Sequence, residues 1–97
     1  MRYKLTKIAK EEGALSAVSV GHTTVGDDLF LFDYRTGNIK PIQNVTEVIP
    51  DWQVVVSRGI FHTHNTSLIK EVRIVDNSTI QFDTQTSTYG LSQEEDE

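Results

Sequence analysis

The stretch LIKEVRIVDNSTIQFDTQTSTYGL, residues 68–91, decides the fold class. Two runs of β-branched and aromatic residues, Leu68–Val75 and Thr79–Leu91, flank the turn-forming cluster Asp76-Asn77-Ser78. Short side chains of that kind bond their own backbone in turns, so the pattern predicts an antiparallel hairpin. In its second arm Ile80 and Phe82 occupy even positions, whereas Tyr89 and Leu91 occupy odd ones. Strand side chains alternate between faces, so the apolar phase slips by one, and a bulge or bend is expected between Thr84 and Thr88.

Outward from this hairpin, turn residues recur at intervals of about ten, the rhythm of a small sandwich or barrel. Ile60–His64 reads as a strand, turned by Arg58-Gly59 out of Trp52–Ser57 with its run Val54-Val55-Val56. Val45–Ile49 reads as another short strand, ended by Pro50-Asp51. Leu29-Phe30-Leu31-Phe32 carries large apolar side chains on both faces, which places that strand centrally or under a partner subunit. Arg35-Thr36-Gly37-Asn38 turns it into Ile39–Ile42, where Pro41 lacks a ladder donor and marks a sheet edge. Gly21–Asp28 reads as a polar loop. The first residues admit two readings. Strands near 2–9 and 14–20 joined at Glu11-Glu12-Gly13 are one; a helical turn is the other, since Leu5, Ile8 and Ala9 fit i, i+3, i+4 spacing.

Composition favours strands throughout, because Val, Ile and Thr make up 29 of the 97 residues and β-branched side chains suit a pleated, half-buried surface. The expected fold is all-β: a small bent antiparallel sheet or an SH3-like or open barrel of six to eight strands. It spans one domain, residues 1–92, followed by a disordered acidic tail at 93–97. Leu29, Leu31, Val55, Ile69, Val72, Ile74, Ile80, Phe82 and Tyr89 are the expected core.

The net charge of −5 is concentrated at the end of the chain, in Glu94, Glu95, Asp96 and Glu97; the nine basic and ten acidic residues before them nearly balance. Such a body has no general electrostatic grip on nucleic acid. No apolar run approaches the roughly 18 residues of a membrane span, and Met1-Arg2-Tyr3-Lys4 lacks the apolar stretch of a secretory signal. The absence of cysteine excludes a disulfide framework and thiolate chemistry. A cytoplasmic protein is expected, and the Asn-x-Ser/Thr sequons at Asn44, Asn65 and Asn77 are then accidents of a Thr-rich chain.

His62-Thr63-His64 has a recognisable chemical spacing, since residues i and i+2 of a strand share a face and two imidazoles there can converge on one ion. A third ligand would come from His22, Asp27, Asp28 or Asp83, and a metal-dependent enzyme of this type ranks third among the readings. No phosphate-binding loop, dinucleotide fingerprint, calcium loop or nucleophile elbow occurs, so no catalytic residue, cofactor or metal is assigned. Three segments are dense in small polar side chains: His22-Thr23-Thr24, Thr63–Ser67 and Thr84–Thr88. Hydroxyls, amides and turn N–H groups of this kind cradle a phosphate or a base edge when an arginine closes the site. They serve equally as ordinary strand caps. The expected ligand-binding set is Arg58, His62, His64, Asn65, Thr66 and Ser67, with Arg35 and Arg73 as further cations and Trp52 or Tyr34 for stacking. Arg58 leads because a single turn separates it from the His62–Ser67 cluster.

The layout Thr66-Ser67-Leu68-Ile69, a short hairpin, Ile80-x-Phe82-x-Thr84 and Ser87-x-Tyr89-x-Leu91 resembles small uncharacterised β-barrel proteins of bacteriophage and bacterial genomes, over residues 61–91. The resemblance implies a compact barrel and a binder rather than an enzyme, and it transfers no catalytic residue. The leading expectation is a non-catalytic phage accessory protein that sequesters a small anionic, nucleotide-like signalling ligand of the host, an anti-defence role. The alternative is a protein–protein interaction module that inhibits or adapts a host complex. Either acts as a homo-oligomer, because Phe30, Phe32, Val54, Val56 and Trp52 supply more apolar strand surface than one small sheet covers.

Overall fold

The computed structural model describes residues 1–10, 20–59 and 62–95, with His62 described by its backbone alone. Among them lie nine strands: β1 (Arg2–Lys10), β2 (Thr23–Gly26), β3 (Asp28–Asp33), β4 (Asn38–Ile42), β5 (Gln53–Arg58), β6 (His62–Asn65), β7 (Glu71–Asp76), β8 (Thr79–Asp83) and β9 (Ser87–Glu94). All pairings are antiparallel, in a five-stranded sheet of order β2-β1-β9-β8-β7 and a four-stranded sheet of order β4-β3-β5-β6. The protein is therefore all-β. The strands number nine rather than six to eight, and the two sheets face each other without closing into a barrel.

Three local readings change, each for a physical reason. The phase slip in the last arm is a complete reversal: β8 and β9 form a hairpin in which Phe82 pairs with Tyr89 and Ile80 with Leu91, so even and odd positions share the inner face. The Gly21–Asp28 segment contains β2, which adds an edge to the first sheet. Val45–Ile49 is not a strand but carries the 3-10 turn Val45–Glu47. Strand alternation would have put Glu47 on the same face as Val45; the turn instead buries Val45 and Val48 and leaves Glu47 outside. There its carboxylate accepts the Gln43 and Asn44 N–H groups at 3.0 and 2.9 Å, and the Val45 N–H donates to the Gln93 side chain at 2.7 Å. That last bond, with β9 running to Glu94, places residues 93 and 94 of the expected tail inside the sheet. The expected strand near 14–20 falls almost wholly outside the described residues.

One core lies between the sheets, with Leu5, Ile80, Phe82 and Leu91 from one side and Leu29, Leu31, Val54 and Val56 from the other. Two expected core residues leave it. Val55 points to the outer face between buried Val54 and Val56, and Ile74 is 64% exposed on the edge strand β7.

The chain passes from one sheet to the other at Gly26-Asp27 and again through residues 66–70. At the first crossing the Asp27 N–H donates to the Ser57 carbonyl at 3.0 Å. A Cβ on Gly26 would lie 2.5 Å from that same oxygen and 2.8 Å from Val56 Cγ1. Backbone has little room to retreat, so Gly26→Ala should lose about 2 kcal/mol or more. The expected reading is a lower urea midpoint at unchanged m; an unchanged midpoint would refute this packing.

Candidate anion-binding site

At one end of the five-stranded sheet a cross-strand row, Ala9–Thr88–Asp83–Glu71, forms the floor of a cavity of about 460 Å³. Ala9 reaches this row because the β1–β9 register shifts between Lys7 and Ala9. Lys7 pairs with buried Tyr89, but Ala9 pairs with Thr88 and Lys10 with Ser87. The β8–β9 turn supplies Thr84 and Thr86 and is closed by the Thr84 N–H donating to the Ser87 carbonyl at 2.8 Å. Lys70 enters from the second crossing, its N–H held by the Asp83 carbonyl at 2.7 Å. Two lysines thus line the cavity with four hydroxyls, of which Thr84 and Ser87 are buried and Thr84 Oγ1 donates to the Ser87 carbonyl at 3.3 Å.

The carboxylates at the floor are already engaged. Arg73 grips Asp83 with both terminal nitrogens, at 2.7 and 2.9 Å, and Thr88 Oγ1 donates to Asp83 at 2.8 Å. These bonds, the Arg73 bond first, hold the Asp83 carboxyl down at about 2. Glu71 lies 3.8 Å from the same guanidinium. Lys10 and Lys70 form no ion pair among the described residues, so the positive charge that remains open is theirs.

The structure distributes the expected ligand-binding residues over several places. Arg73 braces the cavity floor, and Ser67 lines an adjoining cleft of about 570 Å³ with Tyr34 and Lys70. Arg35 closes the β3–β4 turn by bonding Asp33 at 3.1 Å. Arg58 lines a separate cleft with Arg2, Val25, Gly26 and Asp27. Thr66 is buried and structural, accepting the Val54 N–H at 3.1 Å and donating to the Ser67 carbonyl at 2.9 Å. Trp52 packs on the core, and Asn65 borders an apolar hollow on the outer face of the four-stranded sheet. The His62 side chain lies outside the described residues. Of the cavity residues, the Thr84–Thr88 run carries a compositional signal and Lys10 belongs to the basic cluster Arg2, Lys4, Lys7 and Lys10, but only the sheet pairing brings Lys10 and Lys70 together.

His64 points between the sheets. Its Nδ1 is 2.9 Å from Thr24 Oγ1, its ring meets Tyr89 edge-on at 5.9 Å, and the His22 ring lies 6.0 Å away. Among the described residues no three histidine, aspartate or glutamate side chains gather as a metal site. Burial pushes the His64 imidazole below its ordinary value, with His22 and Lys7 adding to the effect.

Two pH windows follow. A histidine with a depressed folded pKa takes its proton more readily in the unfolded chain, so its contribution is complete above about pH 6.5 and declines as the pH falls through that value. Urea midpoints should drop from pH 8 to 5 in the wild type and less steeply in His64→Gln; equal slopes would acquit His64. The depressed Asp83 carboxyl contributes fully above its ordinary value of 3.8, and the contribution is lost as the pH falls through about 2. With Arg73 41% and Asp83 32% exposed, solvent screens the pair, and Asp83→Asn should cost about 1 kcal/mol at pH 7 in the same assay.

No protein-family model, curated protein or solved structure matches this chain, and the chemistry of the cavity rests on its own residues.

Proposed function

We propose that the chain is a non-catalytic binding protein for a small anionic, nucleotide-like ligand, held in the cavity between Lys10 and Lys70. The observation that carries this reading is one cavity lined by Lys10 and Lys70, neither in an ion pair among the described residues, and by the Thr86 hydroxyl, beside an Asp83 carboxylate that Arg73 already neutralises. The volume falls in the range of small-molecule sites. Charge-assisted hydrogen bonds from the two lysines, with the Thr86 hydroxyl beside them, suit phosphate oxygens. The resemblance of residues 61–91 to small phage and bacterial β-barrel proteins implies a binder, and a phage accessory protein that withholds a host signalling ligand is the role we propose for it.

Thermal denaturation with inorganic phosphate, pyrophosphate and nucleoside monophosphates tests the reading. A ligand at a hundredfold above its Kd should add about 2.7 kcal/mol to stability. Lys70→Ala should remove most of that gain while leaving the unliganded protein within about 0.5 kcal/mol of wild type, since Lys70 is exposed. No stabilisation by any of the three defeats the proposal.

A second reading, self-association, is favoured by the outer face of the four-stranded sheet. Phe30 stands between Pro41 and Val55, and Phe32 beside Ile39, which is 64% exposed. Val54 and Val56 lie in the core and Trp52 packs against it, so this surface belongs to Phe30, Phe32, Ile39 and Val55. The face carries Gln53, Ser57, Thr63 and Asn65 at its border and a charge only at the Asp28 corner, so a second copy would cover it without burying unpaired ions. Four strands at about 4.8 Å and five residues at about 3.3 Å span about 300 Å² in projection, below the roughly 800 Å² per partner of a stable complex. A weak, concentration-dependent dimer is expected. Light scattering across micromolar concentrations should show it, and Ile39→Lys with Val55→Lys should return the monomer mass; a wild-type monomer throughout refutes the dimer.

A further inference from the structure

We propose that the anion cavity and the adjoining cleft form one bipartite site in which the phosphate of a nucleotide sits between Lys10 and Lys70 and its base lies against Tyr34. This rests on the anion-binding reading and names the rest of the ligand. Lys70 lines both spaces. The β8–β9 turn divides its side chains between them, with Thr84 and Thr86 in the cavity and Gln85 in the cleft. The two spaces therefore share a wall made of one lysine and one turn.

Their chemistry differs in the way a nucleotide requires. The cavity offers cations and hydroxyls. The cleft, at about 570 Å³, offers apolar surface from Leu68, the Tyr34 side chain, and the amides of Gln53 and Gln85. Tyr34 is 56% exposed and packs against no other ring among the described residues, which leaves its face available for stacking. Its place is fixed by the β3–β4 turn, where the Gly37 N–H donates to the Asp33 carbonyl at 2.8 Å and Arg35 bonds the Asp33 side chain. Amides both donate and accept, and the Asp51 carboxylate of the same cleft accepts, so a base edge with an exocyclic amine finds partners there. Stacking on an exposed aromatic discriminates a heterocycle from a bare phosphate and tolerates any base.

Calorimetry on the full chain with pyrophosphate, adenosine 5′-monophosphate and uncharged adenosine separates the two parts. The nucleotide should bind at least tenfold tighter than pyrophosphate. Tyr34→Ala should weaken the nucleotide by about tenfold and leave pyrophosphate unchanged, Tyr34→Phe should keep wild-type affinity, and Lys70→Ala should weaken both anions. Equal affinities for nucleotide and pyrophosphate, or a Tyr34→Ala variant with unaltered nucleotide binding, overturn the bipartite site and leave the anion cavity standing. Failure of pyrophosphate and nucleotide alike to bind overturns both.

Discussion

Backbone lies directly on backbone where β2 meets β5 at Gly26 and Ser57, and the spacing of the two sheets follows from that contact. A side chain at this position would push the edges apart. With β2 pinned to β5, strand β6 comes to lie opposite β2, and His64 spans the gap to Thr24. The second crossing completes the interior: the Thr66 N–H bonds Val54, the Ile69 N–H bonds Trp52, and the Lys70 N–H bonds Asp83, so one extended segment is tied to both sheets. The cavity wall is a by-product of this tie. Lys70 is aimed by backbone that the fold already needs.

The fold was legible where a residue had one way to satisfy both its side chain and its backbone. Pro41 marked an edge because its nitrogen has no proton, and β4 is indeed the edge of its sheet. The 76–78 turn was legible for a similar reason, and the Ser78 N–H donates to the Asp76 side chain at 2.8 Å. Parity was harder. Val54-Val55-Val56 reads the same in either phase, and only the pairing with Leu29 and Leu31 decides that Val55 faces out. At Val45–Ile49 the β-branched composition pointed to a strand, but Gln93, nearly fifty residues away, supplies the carboxamide oxygen that caps the turn. No local pattern contains that partner.

The site was less legible than the fold. Polar density marked both Thr84–Thr88 and Thr63–Ser67, and the expected ligand set was drawn from the second, where Thr66 turns inward to bond the backbone; in the first, Thr84 and Thr88 are likewise bonded within the protein. A hydroxyl committed to a strand cap and one open to a ligand look alike in sequence. Two of the three arginines are committed: Arg35 and Arg73 each have an aspartate waiting across a turn or a strand pair, whereas Arg58 lines a separate cleft with Arg2. Lys10 and Lys70 become neighbours through the register of four strands, which is information that spacing along the chain does not hold.

The five-stranded sheet joins the first strand of the chain to the last, Arg2 opposite Glu94 and Leu5 opposite Leu91. During synthesis β1 therefore waits for almost the entire chain. At roughly 5–20 residues per second it spends several seconds with its apolar face, Tyr3 and Leu5, beside β2 alone. The four-stranded sheet faces no such delay, since its strands follow one another closely and can pair as they emerge. That spacing favours the small sheet forming first and the larger one closing over it, with the cavity built on β1, β8 and β9 completed late.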